Sequence, residues 1–323
     1  VFLFARDTSR RWPAALTLAL IAPCLTELFS GNIPAPIFFR PHIFFVLTLI
    51  YGIPALLFRD LLVRWRLGLP GLFALGLAYG IYNEGVIAKT ILRPQGVPIP
   101  QFDHSLFLGI NWSWSAMIVP WHALHAVIFP IAIVSWLLPA ARNKLWLSPA
   151  SFAFATIVAV LLGSLLFFKN PAIVASGGML VALWGAIALL VGLSKMIPQK
   201  SWFAQPEGEP GWPPVVAGFF LYPVMIIGLS VCASRHPPAL VVWMLSLLVV
   251  CVYYRLAVCR RWLAINPFVL LALGDYLSGS LLNIPISIAH GSMPRSITAV
   301  AFTLIFAGEI TAVFKPAAGR PAG

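Results

Sequence analysis

Apolar runs of about twenty residues recur along the chain, separated by short polar or proline-rich connections. A hydrocarbon core about 30 Å thick is crossed by about 20 apolar helical residues. The pattern therefore predicts an all-α fold, a polytopic transmembrane helical bundle. Ten spans are expected, at 14–30, 42–64, 69–92, 113–137, 149–168, 172–194, 213–232, 237–254, 265–285 and 297–314. The two-residue alternation of a transmembrane β-barrel is missing. Residues 1–323 read as a single integral membrane domain, which the connection PQKSWFAQPEGEPGWPP would divide into halves 1–200 and 201–323. No repeated motif relates these halves.

The informative positions are those that break the apolar pattern. Of nine acidic residues, Glu27, Glu84, Asp275 and Glu309 fall inside apolar spans. Each carries a cost of roughly 2.5–3.5 kcal/mol at mid-bilayer on insertion scales, so such a group is by default a functional hypothesis. The stretch from Gly68 to Pro130 concentrates them: Asn83, Glu84 and Lys89 on the third span, His122 and His125 on the fourth. At about 1.5 Å per residue, Glu84 and His122 share a depth of roughly 12–14 Å below the outer edge. Neighbouring spans joined by a modest loop pack together, so a contact of Glu84 with His122 or His125 is expected. Gly76, Gly80, Glu84 and Ala88 recur every four residues and form a small-residue stripe that lets another helix approach. His122 and His125 share a face at a spacing of three, and Pro120 bends their helix. Glu27, Asn83, Lys89 and Asn111 are expected as supporting polar residues near the same level. Lys89 is expected to snorkel to the outer surface, and Trp112 and Trp114 to sit in the interfacial belt. Arg59-Asp60 reads as an interfacial pair. Asp275 and Glu309, on antiparallel last spans, would form an ion pathway or a polar lock.

Composition adds class and orientation. The chain is 60% hydrophobic and 9% charged, against about 25% charged in soluble domains. The formal net charge of +12 sits at span ends and forms no single patch, so no nucleic-acid partner is expected. Arg6, Arg10, Arg11, Arg59, Arg64, Arg66, Arg142, Lys144, Lys195, Lys200, Arg255, Arg260, Arg261, Lys315 and Arg320 fall on one side. Arg40, Lys89, Arg93, Lys169, Arg235 and Arg295 fall on the other. The excess places both termini in the cytoplasm. The basic N-terminal residues resemble a signal-peptide opening, but the run contains Glu27 and lacks an A-x-A site, so a retained first helix is expected. Cys24, Cys232, Cys251 and Cys259 form no CxxC pair and read as packing residues.

Three functions fit this pattern. Glu84 as a buried general base, with His122 and His125 orienting water or stabilising an oxyanion, would make an intramembrane hydrolase. Its substrate would be a lipid-embedded peptide or small molecule. The same three residues could bind a divalent metal, with Asp103 or His104 added. Alternatively, Glu84, Asp275 and Glu309 would titrate in a proton-coupled transporter, or the polar groups would only fix packing in a membrane scaffold. No Walker loop, GxSxG or GxGxxG motif is present.

The segments TELFSGNIP, FRDLLVRW, AYGIYNEG, NWSW and HALHAV together resemble a group of uncharacterised bacterial polytopic membrane proteins over residues 20–140. The resemblance implies an integral protein of the bacterial cytoplasmic membrane and no settled activity. The group's Glu-Glu-Gly stands here as Asn83-Glu84-Gly85. A partial similarity to the CAAX-protease and bacteriocin-processing intramembrane peptidases implies a proteolytic site. Glu84 stands at that pattern's second glutamate, and Trp121 to His125 matches its aromatic-xxx-His. Asn83 replaces the first glutamate, Ala88 the arginine, and Pro294 follows His290 where the pattern has Asn.

Overall fold

A computed structural model describes residues 11–92, 105–169, 176–197, 201–204, 211–259 and 265–314. It is an all-α bundle, with one two-stranded hairpin among the described residues. Each expected span coincides with a helical rod. Rod α1 is Arg11–Pro23 continued by Cys24–Leu28, α2 is Pro41–Arg64, and α3 is Leu69–Ile81 continued by Tyr82–Ile87. The hairpin β1 (Leu106–Phe107) and β2 (Ile110–Asn111) leads into α4, Trp112–Leu137. Then follow α5 (Pro149–Lys169), α6 (Gly177–Met196), α7 (Trp212–Arg235), α8 (Ala239–Cys259), α9 (Ile265–Ala289) and α10 (Met293–Phe314). Six of the described helices are long and apolar enough to cross a membrane, so length and composition vouch for fewer crossings than the ten expected.

Local sequence sets the rod starts. Pro41 and Pro149 occupy first-turn positions, where the missing N–H costs nothing. Asn111 Oδ1 accepts from the Trp114 N–H at 3.0 Å and caps α4, and Ser176 caps α6 in the same way. Asn111 is thus a wholly buried helix cap, and its Oδ1 also accepts from Ser105 Oγ at 2.9 Å.

The layers differ in what they face. In its most apolar window α4 is 78% buried, whereas α5, α6 and α10 are 17% buried. The first is a core element. The others turn Phe154, Leu161, Val181, Leu189 and Leu304 outward, as expected where the solvent is lipid.

Glycine lets the core rods approach. A Cβ on Gly76 would lie 2.8 Å from Ala123 Cα, and one on Gly80 would lie 2.6 Å from the Val119 carbonyl oxygen. The small-residue stripe therefore seats α3 against α4 and turns Glu84 toward that helix. Gly80→Leu should push the two rods apart and lower the melting temperature in detergent, at about 1–3 kcal/mol for overpacking. Gly185→Leu, with open space at its Cβ, should leave it unchanged. Gly218 and Gly274 play the same part between α7 and α9, each against the other helix's backbone.

Arg59 and Asp60 correct an expectation. They are wholly buried within the protein and not exposed at its surface. The Arg59 guanidinium contacts Asp60 at 3.0 Å, donates to the carbonyls of Ala141 and Arg142 at 3.1 and 2.6 Å, and lies 3.6 Å from the Trp146 ring centre. Asp60 accepts from the Trp146 and Leu147 N–H groups at 3.0 and 3.1 Å. The pair fastens the α4–α5 connection beneath α2, and the connection's backbone supplies partners to both charges, leaving Arg59 Nε without one.

Candidate functional site

Among the described residues four helical turns are wound wide, with i→i+5 hydrogen bonds: Cys24–Leu28, Thr48–Gly52, Tyr82–Ile87 and Ala123–Ile128. One occurs in each of α1 to α4. Such π turns are rare and gather at functional sites, because the extra residue re-aims side chains and frees a carbonyl. Here they carry Glu27, Tyr51, Asn83, Glu84 and His125, and His122 immediately precedes the fourth.

His122 Nε2 lies 3.3 Å from Glu84 Oε1. Thr90 Oγ1 donates to Glu84 Oε2, and Trp114 Nε1 donates to Thr90 Oγ1 at 3.0 Å. Trp114 is therefore buried at this site and not in the interfacial belt. His122 Nδ1 is 3.1 Å from the Ile118 carbonyl. A carbonyl only accepts, so Nδ1 carries the proton, and Nε2 shares one proton with Glu84. Beside this dyad, Glu27 accepts from the Tyr51 hydroxyl and from Asn32 Nδ2 at 2.6 Å, and Asn83 Nδ2 donates to the Tyr51 oxygen at 2.8 Å. Tyr79 and Tyr51 flank the His122 ring.

His125 belongs elsewhere. Its Nε2 lies 2.7 Å from Asp275 Oδ2 on α9, and its Nδ1 is 3.0 Å from the Trp121 carbonyl. The wide turn explains its surroundings. The Phe129 N–H bonds Leu124 O, and Pro130, five residues beyond His125, has no N–H to give. The freed His125 carbonyl accepts instead from Thr26 Oγ1 and the Tyr276 hydroxyl, each at 3.3 Å. This second pair ties α4 to α9. Asp275→Asn should keep a hydrogen bond, since its amide can donate to Nε2, and should cost little in a melting assay. Asp275→Leu, which strands a buried nitrogen, should cost about 1–3 kcal/mol.

Other expected site residues fall as follows. Glu309 is half-buried on α10 and makes no hydrogen bond or ion pair with a described residue, Asp275 included. Lys89 does not snorkel. It is 2% exposed, lies at φ 59° past the end of α3, and holds its ammonium 5.1 Å from the Phe167 ring centre. Asp103 and His104 lie outside the described residues. With His125 on Asp275, the proposed metal ligands do not converge. Among the described residues no group of three or more His, Cys, Asp or Glu could hold an ion. Tyr51, Asn32 and Thr90 were not legible as site residues: a tyrosine in an apolar run reads as an interfacial aromatic, and Thr90 reaches Glu84 only because the chain turns back at Lys89.

A cavity of about 1380 Å³ opens against the dyad, with Glu27, Glu84, Thr90, Trp114 and His122 in its wall. It runs between α4, α7, α8 and α9 and is mostly apolar. His125, Asp275 and Glu309 do not line it.

The profile of an uncharacterized membrane protein family matches residues 16–319. No curated protein and no solved structure matches the chain. The likeness to CAAX peptidases finds no support in these comparisons.

Proposed function

We propose that this chain, which belongs to that uncharacterized membrane protein family, is an intramembrane hydrolase with Glu84 and His122 as a paired acid and base. The observation that carries the reading is the 3.3 Å contact between the two side chains in the wall of a cavity large enough for an amphiphile. With the shared proton on His122 Nε2, the Glu84 carboxylate takes a proton from a water entering from the cavity. The water oxygen bonds the electrophilic centre of an ester or amide, the bond to the leaving group breaks, and the proton held by the dyad passes to that group. Thr90 holds the second carboxylate oxygen, so Glu84 keeps one oxygen for His122 and the water.

Two features favour this over the other readings. A translocation path through Asp275 or Glu309 would need them in the cavity wall, and they are not there. A packing scaffold would keep Glu84 and His122 closed off, and both line the cavity. The test is reconstitution of the full chain in vesicles with a fluorogenic amphiphile bearing an ester and a second bearing an amide. Release from either is expected. Failure of both would contradict the reading.

A further inference from the structure

The cavity is chemically two-ended. Its long part is walled by Met117 and Ile128 of α4, Met225 of α7, Leu245 and Val249 of α8, and Phe268 of α9. Its polar lining lies where α1, α3 and α9 end and α10 begins: the dyad together with Asn32, Ser287, His290 and Arg295. Arg295 is the unusual member. One of its terminal nitrogens donates to the Asn32 carbonyl at 3.3 Å, while its Nε is buried and without a hydrogen-bond partner. It forms no ion pair among the described residues. The nearby Glu27 carboxylate is already occupied by Asn32 and Tyr51. A buried guanidinium N–H left unpaired is costly, and a guanidinium fork matches phosphate and carboxylate oxygens.

We infer that the cavity takes a membrane lipid with an anionic headgroup, its acyl chain along the apolar wall and its headgroup on Arg295. The wall also holds two carboxylates, but Glu27 is occupied by Asn32 and Tyr51 and Glu84 is paired with His122, so the Arg295 guanidinium is the charge left for the occupant to meet. An apolar peptide would fill the long part and leave Arg295 unmet, and a small soluble anion would leave the long part empty. His290, Ser287 and Asn32 lie within the same wall. Polar contacts run without a break from Arg295 through Asn32 and Glu27 to Tyr51 and Asn83. The headgroup end of the lipid is thereby placed beside the dyad. As a substrate class this rests on the hydrolase reading, and lipid occupancy does not.

The full chain in detergent, mixed with phosphatidylglycerol or with phosphatidylcholine of the same acyl chains, is to be followed by native mass spectrometry. Phosphatidylglycerol should bind about tenfold more tightly, as one charge-assisted contact would give. Arg295→Gln should erase that preference while keeping the melting temperature. Gly228→Trp should block both lipids, because Gly228 lines the cavity with only the Met117 methyl within 4 Å of its Cβ position. Met225→Trp serves the same purpose if Gly228→Trp does not fold. Equal binding of the two lipids, a preference that survives Arg295→Gln, or binding that survives a folded cavity-filling variant would overturn the inference. Selective binding without hydrolysis would leave the lipid site standing and remove only the hydrolase reading.

Discussion

Glu84→Gln should leave the protein folded and lower hydrolytic turnover about a hundredfold to ten-thousandfold, the usual contribution of a positioned acid–base group. The substitution is nearly isosteric. Its amide oxygen can still accept from Thr90, and its amide N–H can donate to His122 Nε2, which lies 3.3 Å from the carboxylate now. What it removes is the ability to take a proton from water. Turnover and the melting curve should be measured on the same preparation. A large loss of turnover with an unchanged melt is expected. Retained turnover would exclude Glu84 as the base.

A second substitution should act on stability instead. Asp60→Ala is expected to destabilise the detergent-solubilised protein by about 3–5 kcal/mol, because it leaves the Arg59 guanidinium buried without its counter-charge. It also withdraws the acceptors of the Trp146 and Leu147 N–H groups, so the α4–α5 connection loses its anchor. Arg64 gives the internal comparison. It reaches Asp60 only at 3.6 Å and is a quarter exposed, so that ion pair is worth under about 1 kcal/mol, and Arg64→Ala should cost less than Asp60→Ala even though it also loses the bond to the Leu147 carbonyl and the Phe152 ring contact. Equal melting shifts for the two variants would mean that the Arg59–Asp60 pair contributes no more than a surface contact.

The outline of the bundle was legible in the sequence, since each apolar run became a helical rod. The Glu84–His122 contact was legible too, because rise per residue fixes depth and the glycine stripe fixes which face of α3 meets α4. The prediction failed where the helix departs from regular winding. His122 and His125 are three apart and would share a face of an α-helix, but the wide turn Ala123–Ile128 separates them. One ring goes to Glu84 and the other to Asp275. No residue type signals an i→i+5 turn, although Pro23, Pro54, Pro120 and Pro130 flank three of the four. Lys89 was misplaced for a similar reason: the left-handed residue at the end of α3 folds its side chain back toward Phe167. The Arg59–Asp60 pair read as interfacial because its partners are backbone groups of the α4–α5 connection, which no side-chain pattern reveals.

A double-mutant cycle on vesicle-borne amphiphile hydrolysis bears most directly on the claim that Glu84 and His122 act as one unit. Glu84→Gln, His122→Asn and the double variant would be compared with the parent for turnover. Residues that share one proton fail together, so the double variant should fall no further than the worse single one. Losses that multiply would show two independent groups, and unchanged turnover in all three would show that neither takes part.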